Sequence, residues 1–168
     1  GEMFLDESPI DHTYQLVKGY VLQENIMMST MTVREYLMMS AQLRLPELMP
    51  RSEKEHRVRQ VMRELGIEHL AQRQIGSNIK KGLSGGEKRR VALGAELVIS
   101  RPILFCDEIT SGLDSYNAFQ VVKCLHDLAR NHRKTIVMSI HQPSSAIFDL
   151  FDKLVLLSEG RIVFSGEA

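Results

Sequence analysis

The chain has 168 residues, with 21 Lys+Arg balanced by 21 Asp+Glu and a formal net charge of zero. That length supports one domain with a real core, and the neutral balance argues against long-range attraction to nucleic acid or anionic lipid. No apolar run approaches the ~18 residues that cross a bilayer, and Cys106 and Cys124 read as small reduced residues of the cytosol, not as a staple or a metal pair.

Gly1-Glu2-Met3 lacks the basic-then-apolar order of a signal peptide. The chain opens mid-pattern without an initiating Met, which suggests a fragment. Met3–Leu5 reads as a short strand, Ser8-Pro9-Ile10-Asp11 as a turn, and Leu16–Leu22 as a second strand ending in the polar Gln23-Glu24-Asn25. After a Met-rich loop, Thr32 and Glu35 are spaced as a capping box for a helix reaching about Arg44, which Pro46 stops. Ser52 and Glu55 are expected to cap the next helix, whose apolar face is Val58, Val61, Met62 and Leu65 and which Gly66 ends. Its many charges are expected to form a solvated face. A short helix and turn are expected within Ile67–Ile75.

Ser84 and Glu87 repeat the capping-box spacing around Gly85-Gly86, at the start of a helix reaching about Ser100 with Val91, Ala95 and Val98 inside. Two glycines in the first turn leave backbone N–H groups open to an anion at the positive end of the helix dipole. Alone, this stretch reads equally well as a plain capped helix with a tight turn. Ile103–Cys106 is a short apolar run, expected as a parallel strand buried on both faces, and it ends in Asp107-Glu108. Asp114 caps a helix with Ala118, Val121, Val122, Leu125 and Leu128 inside. Thr135–Ile140 is a further strand that ends at His141, Ser144–Phe151 a short helix, and Leu154–Leu157 and Ile162–Phe164 a hairpin around Glu159-Gly160.

Strands alternating with helices predict an α/β fold with a mostly parallel sheet. Ligands of such sheets bind beyond the carboxyl ends of the strands. Gln23, Asp107-Glu108 and His141 all fall at such ends, so their common position points to a shared site. Singly, each has a bland reading. Acidic pairs at strand ends are often solvated turns, and a lone strand-end histidine usually makes only a local hydrogen bond.

Taken in order, Gln23, the LSGGE segment at 83–87, ILFCDE at 103–108, SGLD at 111–114 and His141 resemble the nucleotide-binding domain of ATP-binding-cassette (ABC) proteins over essentially the whole chain. Segments such as Tyr20-Val21-Leu22-Gln23, Leu43-Arg44-Leu45-Pro46 and Ser139-Ile140-His141-Gln142-Pro143 resemble the G (white–brown) subfamily of transporters, its fungal members most. The resemblance implies a P-loop NTPase-like sheet with helices on both faces. It also implies a helical subdomain over about 32–100, holding the Q-loop exit and signature motif, and a core over 101–168 running from Walker B to the switch histidine. Gln23 then matches the Q-loop and touches Mg²⁺ or the attacking water. Asp107 holds Mg²⁺, Glu108 polarises the water, and His141 stabilises charge on the γ-phosphate. Ser84, Gly85, Gly86 and Glu87 form the signature motif that grips ATP bound to a facing domain, and Asp114 belongs to the D-loop that signals between two sites.

The implied cofactors are ATP and Mg²⁺. The implied partners are a second nucleotide-binding domain, identical or not, and a transmembrane domain of the same chain, with no nucleic acid. The implied location is the cytosolic face of a membrane, and the implied task is export of lipids, sterols or hydrophobic compounds. Two departures from the family pattern stand out. Ile109 replaces a usual Pro, whose fixed φ would be lost, so a looser link to the D-loop is expected. No G-x-x-x-x-G-K-[ST] loop occurs; in the family it lies upstream of the strand matched by Met3–Leu5, so the expectation is a partial domain, inactive alone. Rival readings are a soluble ABC ATPase acting on ribosomes or DNA, and a non-hydrolytic interaction module.

Overall fold

The structure, a computed structural model, describes residues 4–5, 8–9, 14–23, 26–76 and 82–168. Met3, Ile10-Asp11, Glu24-Asn25 and Ser77–Lys81 of the sequence reading lie outside them. Phe4–Leu5 (β1) and Ser8–Pro9 (β2) pair antiparallel, so part of the expected turn is strand. Tyr14–Val17 is a short helix (α1) and Lys18–Val21 a strand (β3). Of the single strand expected over Leu16–Leu22, Leu16 and Val17 therefore belong to the helix and only Lys18–Val21 is strand. Pairing with the next sheet member begins at Lys18↔Ile103, and the preceding Pro102 has no N–H with which to extend it.

A parallel sheet of order β3-β4-β5 forms the centre, with β4 at Ile103–Cys106 and β5 at Thr135–Met138. The parallel α/β arrangement read from the alternation is thus present. Burial of β4 on both faces is not. Leu104 and Cys106 are buried, whereas Ile103 and Phe105 are half-buried, because Phe105 stands in a row with Tyr20 and Val137, which are 47% and 49% exposed.

The covered face is made by helices. Val33–Arg44 (α2) starts in the expected capping box. Thr32 accepts from the Glu35 amide at 3.2 Å, while the Thr32 amide donates to the Glu35 carboxylate at 2.8 Å. Val33, Leu37 and Ala41, four residues apart, form its buried face. Arg51–Glu64 (α3) begins one residue before the expected Ser52 cap. Pro50 is its N-cap, with no side-chain cap bond, and the Glu53 and Lys54 amides donate to the Pro50 carbonyl. A proline at φ −55° sets the entry to the helix on its own, which leaves Ser52 inside the first turn. The helix stops as expected, with Gly66 at φ +63°. A 3₁₀ turn at Glu68–Leu70 follows.

Gly85–Leu97 (α4) crosses this layer. A Cβ on Gly94 would stand 3.0 Å from Leu37 Cδ2 and 3.2 Å from Leu65 Cδ1, so the glycine permits this close approach of α4 to α2 and to the end of α3. The carbonyls at its C-terminal end are also taken. Ser40 Oγ and Arg44 donate to Ala95, and Arg57 donates to Leu97 and Val98. Ser115–His132 (α5) buries the five expected residues. Three of them, Val121, Leu125 and Leu128, join the core shared by α2, α3, α4, β3 and β4. The other two, Ala118 and Val122, meet Ile147 of the short helix Ser145–Phe148 (α6). Lys153–Ser158 (β6) and Arg161–Glu167 (β7) form the expected antiparallel hairpin. Both cysteines are free, and burial pushes the Cys106 thiol up to about 12, so it stays protonated.

Candidate functional site

Hydrogen bonding continues past the ends of the three central strands and gathers the residues that follow them. The Asp107 amide donates to Val21 O at 2.9 Å and the Ser139 amide to Cys106 O at 3.0 Å. Asp107 is thereby held beside the exit of β3 and Ser139 beside that of β4. Across this edge Gln23 Nε2 donates to Glu108 Oε2 at 2.6 Å. Ser139 Oγ donates to Asp107 Oδ1 at 2.7 Å and accepts from the Glu108 amide at 2.7 Å. Gln23, Asp107 and Glu108 are thus brought into one cluster, at the strand ends where the alternation placed them.

Glu108 has φ +41°, a left-handed conformation uncommon for a residue with a Cβ. The turn that imposes it is closed by the Ser111 amide donating to Glu108 O at 2.9 Å. Ile109 is 0% exposed and belongs to the main core, so its apolar side chain anchors the residue after Glu108. His141 is exposed, lies three residues beyond the end of β5 and makes no hydrogen bond among the described residues. It is near the cluster in chain order but is not tied into it.

The signature segment lies elsewhere, at the start of α4. The predicted capping box is complete, with the Ser84 amide donating to the Glu87 carboxylate at 2.7 Å and Ser84 Oγ accepting from the Glu87 amide at 3.3 Å. The first-turn amides it leaves over are those of Gly85 and Gly86. Gly85 is exposed, but Gly86 is buried. A Cβ on Gly86 would come within 2.7 Å of Asn117 Oδ1, and one on Gly85 within 3.2 Å of Leu113 Cδ2. The second glycine is therefore required first by packing against the start of α5. Asp114 holds that start. Its Oδ1 accepts from the Asn117 amide at 3.0 Å and its Oδ2 from the Asn117 side chain, and these bonds keep its carboxyl below the ordinary aspartate value.

Burial raises the Glu87 carboxyl, but the bonds from Ser84 and the nearby Arg73 and Arg90 outweigh it and leave it below 4.5. Arg73 pairs with it at 3.3 Å. A depressed folded pKa means that the capping box stabilises fully above the unfolded carboxylate range and is lost as pH falls through the lower folded value. Acidification below about pH 4.5 should therefore lower the melting temperature by less in Glu87→Gln than in the wild type. An equal acid loss in both would remove Glu87 from the cause.

Three residues of this region were given no site role in the sequence reading. Arg89, 3% exposed, donates from α4 to the carbonyls of Leu22 and Gln23 at 3.1 and 2.5 Å, so it ties the signature helix to the segment carrying Gln23. Asn117 links Asp114 to Gly86, and Ser139 bridges the two carboxylate residues. The charge-rich run Lys88-Arg89-Arg90 could have suggested an inward arginine only through its helical phase next to Val91.

Among the described residues no three His, Cys, Asp or Glu side chains converge as a metal cage. Asp107 and the Gln23 amide offer hard oxygens, which suits Mg²⁺ held by one or two carboxylates together with phosphate oxygens and water. The donor set fits that ion.

A family model described as "ABC transporter" matches residues 1–111. The chain is 44% identical over 170 residues to ABC transporter G family member 24 of Dictyostelium discoideum, covering 99% of this chain and 15% of that protein. It is 43% identical to the broad substrate specificity ATP-binding cassette transporter ABCG2 of Mus musculus, covering 100% of this chain and 25% of that one. The chain thus spans a quarter or less of the length of these relatives. Its fold is similar to that of cbiO1 from Clostridium perfringens, part of an ABC transporter complex, with a TM-score of 0.81 and 26% identity over 98% of this chain and 64% of that one.

Proposed function

The chain belongs to the ABC transporter family, with curated relatives in its G group, and from that premise we propose that it contributes Walker B, Q-loop, signature and switch elements to a transport ATPase. The observation that carries this reading is the cluster at the sheet edge, where Gln23 and Glu108 meet at 2.6 Å beside Asp107. When bound, Mg²⁺ neutralises charge developing on the transferred phosphate. Asp107 would hold it, directly or through water. Glu108 orients the attacking water and takes up its proton, with Gln23 restraining the Glu108 carboxylate. His141, which makes no hydrogen bond among the described residues, would turn towards the phosphate. Ser84 and the Gly85 amide face a second nucleotide-binding domain, and residues about 32–100 move as one helical unit with them.

These 168 residues hold no G-x-x-x-x-G-K-[ST] loop, so hydrolysis is assigned to the full-length protein and not to them alone. No described helix is long and apolar enough to cross a membrane; the spanning part is assigned to other segments of the full-length chain, with export of lipids, sterols or hydrophobic compounds as the driven step. The test is ATP hydrolysis by the full-length protein with and without Mg²⁺. Absence of Mg²⁺-dependent hydrolysis would overturn the reading. Within it, Asp107→Asn should weaken Mg²⁺-dependent nucleotide binding about ten-fold or more, and an unchanged Mg²⁺ requirement would remove Asp107 from that role.

A further inference from the structure

We propose that Ser139 is a positioning residue of this site, one hydroxyl that aims the Asp107 carboxylate and holds the backbone turn carrying Glu108. A serine hydroxyl has a single proton and two lone pairs. Here the proton goes to Asp107 Oδ1 and a lone pair receives the Glu108 amide, both at 2.7 Å. The first bond fixes which carboxylate oxygen faces β5 and leaves Oδ2 for a ligand. The second restrains Glu108 at φ +41°, a conformation that persists only where neighbours over-determine it. The Ser111 amide and the buried Ile109 supply the other restraints.

Two properties make this role separable from folding. The Ser139 amide donates to Cys106 O whatever the side chain is, so the strand ladder survives truncation. Ser139 is also exposed, so an alanine leaves no cavity and a threonine has room. The inference rests on the ATPase reading above and adds to it a residue just past the end of β5 that acts through Asp107 and Glu108.

The test uses the full-length protein, with Mg²⁺ titrated against a fluorescent ATP analogue and melting recorded in parallel. Partners that orient a metal-binding group change metal affinity by about 10–100-fold when removed. Ser139→Ala should therefore raise the Mg²⁺ concentration for half-saturation about ten-fold. Ser139→Thr, which keeps the hydroxyl, should restore it. Binding without Mg²⁺ and the melting temperature should stay at wild-type values in both. A wild-type Mg²⁺ midpoint in Ser139→Ala would overturn the proposal, and so would a threonine variant as impaired as the alanine. A wild type that binds the analogue with no Mg²⁺ dependence would be a separate result: it overturns the ATPase reading, and this inference with it.

Discussion

Glu108→Gln in the full-length protein should lower steady-state ATP turnover about 100-fold or more while leaving nucleotide binding close to wild type, since a positioned general base contributes roughly 10²–10⁴-fold. The substitution suits the geometry. Glu108 Oε2 accepts from Gln23 Nε2 at 2.6 Å, and a glutamine can still accept there through its amide oxygen. Its backbone amide keeps Ser139 Oγ, and the turn keeps its closure by Ser111. What disappears is the negative charge and the capacity to take a proton. Loss of turnover with retained binding therefore reports chemistry and not collapse of the cluster. Single-turnover hydrolysis within about two-fold of wild type would show that another group is the base.

Substitution of Gly86 is expected to act twice, and two variants separate the effects. Gly86→Ala adds a Cβ that would meet Asn117 Oδ1 at 2.7 Å and Asn117 Cβ and Cγ at 3.0 Å. The Asn117 side chain yields by giving up its bond to Asp114 Oδ2, so about 1–3 kcal/mol of stability should be lost, as for other overpacked sites. Truncating the partner in Gly86→Ala/Asn117→Ala removes the Oδ1 and Cγ contacts and should recover part of it in denaturant unfolding. Gly86→Asp adds a carboxylate at the start of α4, where a phosphate of the facing site would come. It should abolish ATP-driven dimerisation, followed by light scattering, beyond what Gly86→Ala does. Normal dimerisation of Gly86→Asp would sink the interface role, and a wild-type melt for Gly86→Ala would sink the packing role.

Elements with local causes were legible before any coordinates. Thr32-x-x-Glu35 and Ser84-x-x-Glu87 specify helix starts by bonds that close within four residues, and both boxes are present. The buried face of α5, the stop at Gly66 and the hairpin at Glu159-Gly160 likewise follow from spacing and backbone freedom. The misreadings fall where a non-local or steric term decided. Pro50 overrode the Ser52-x-x-Glu55 spacing because a fixed φ acts before any side-chain cap. The strand over Leu16–Leu22 was shortened to Lys18–Val21 because its partner starts at Ile103.

The site divides in the same way. From the sequence alone came the identity and order of Gln23, Asp107, Glu108 and His141 at strand ends, because strand length and apolar patterning place strand ends along the chain. Only the tertiary structure decided which of them touch. Gln23 and Glu108 are 85 residues apart in sequence, and their meeting depends on the parallel register of β3 on β4. Ser139 reaches Asp107 through the register of β4 on β5. Gly86 illustrates the limit most sharply. Its lack of a side chain reads locally as an open helix start, yet the space a Cβ would take is occupied by Asn117 from another helix, since steric demand belongs to whichever neighbour the fold brings there and leaves no trace in the residues on either side.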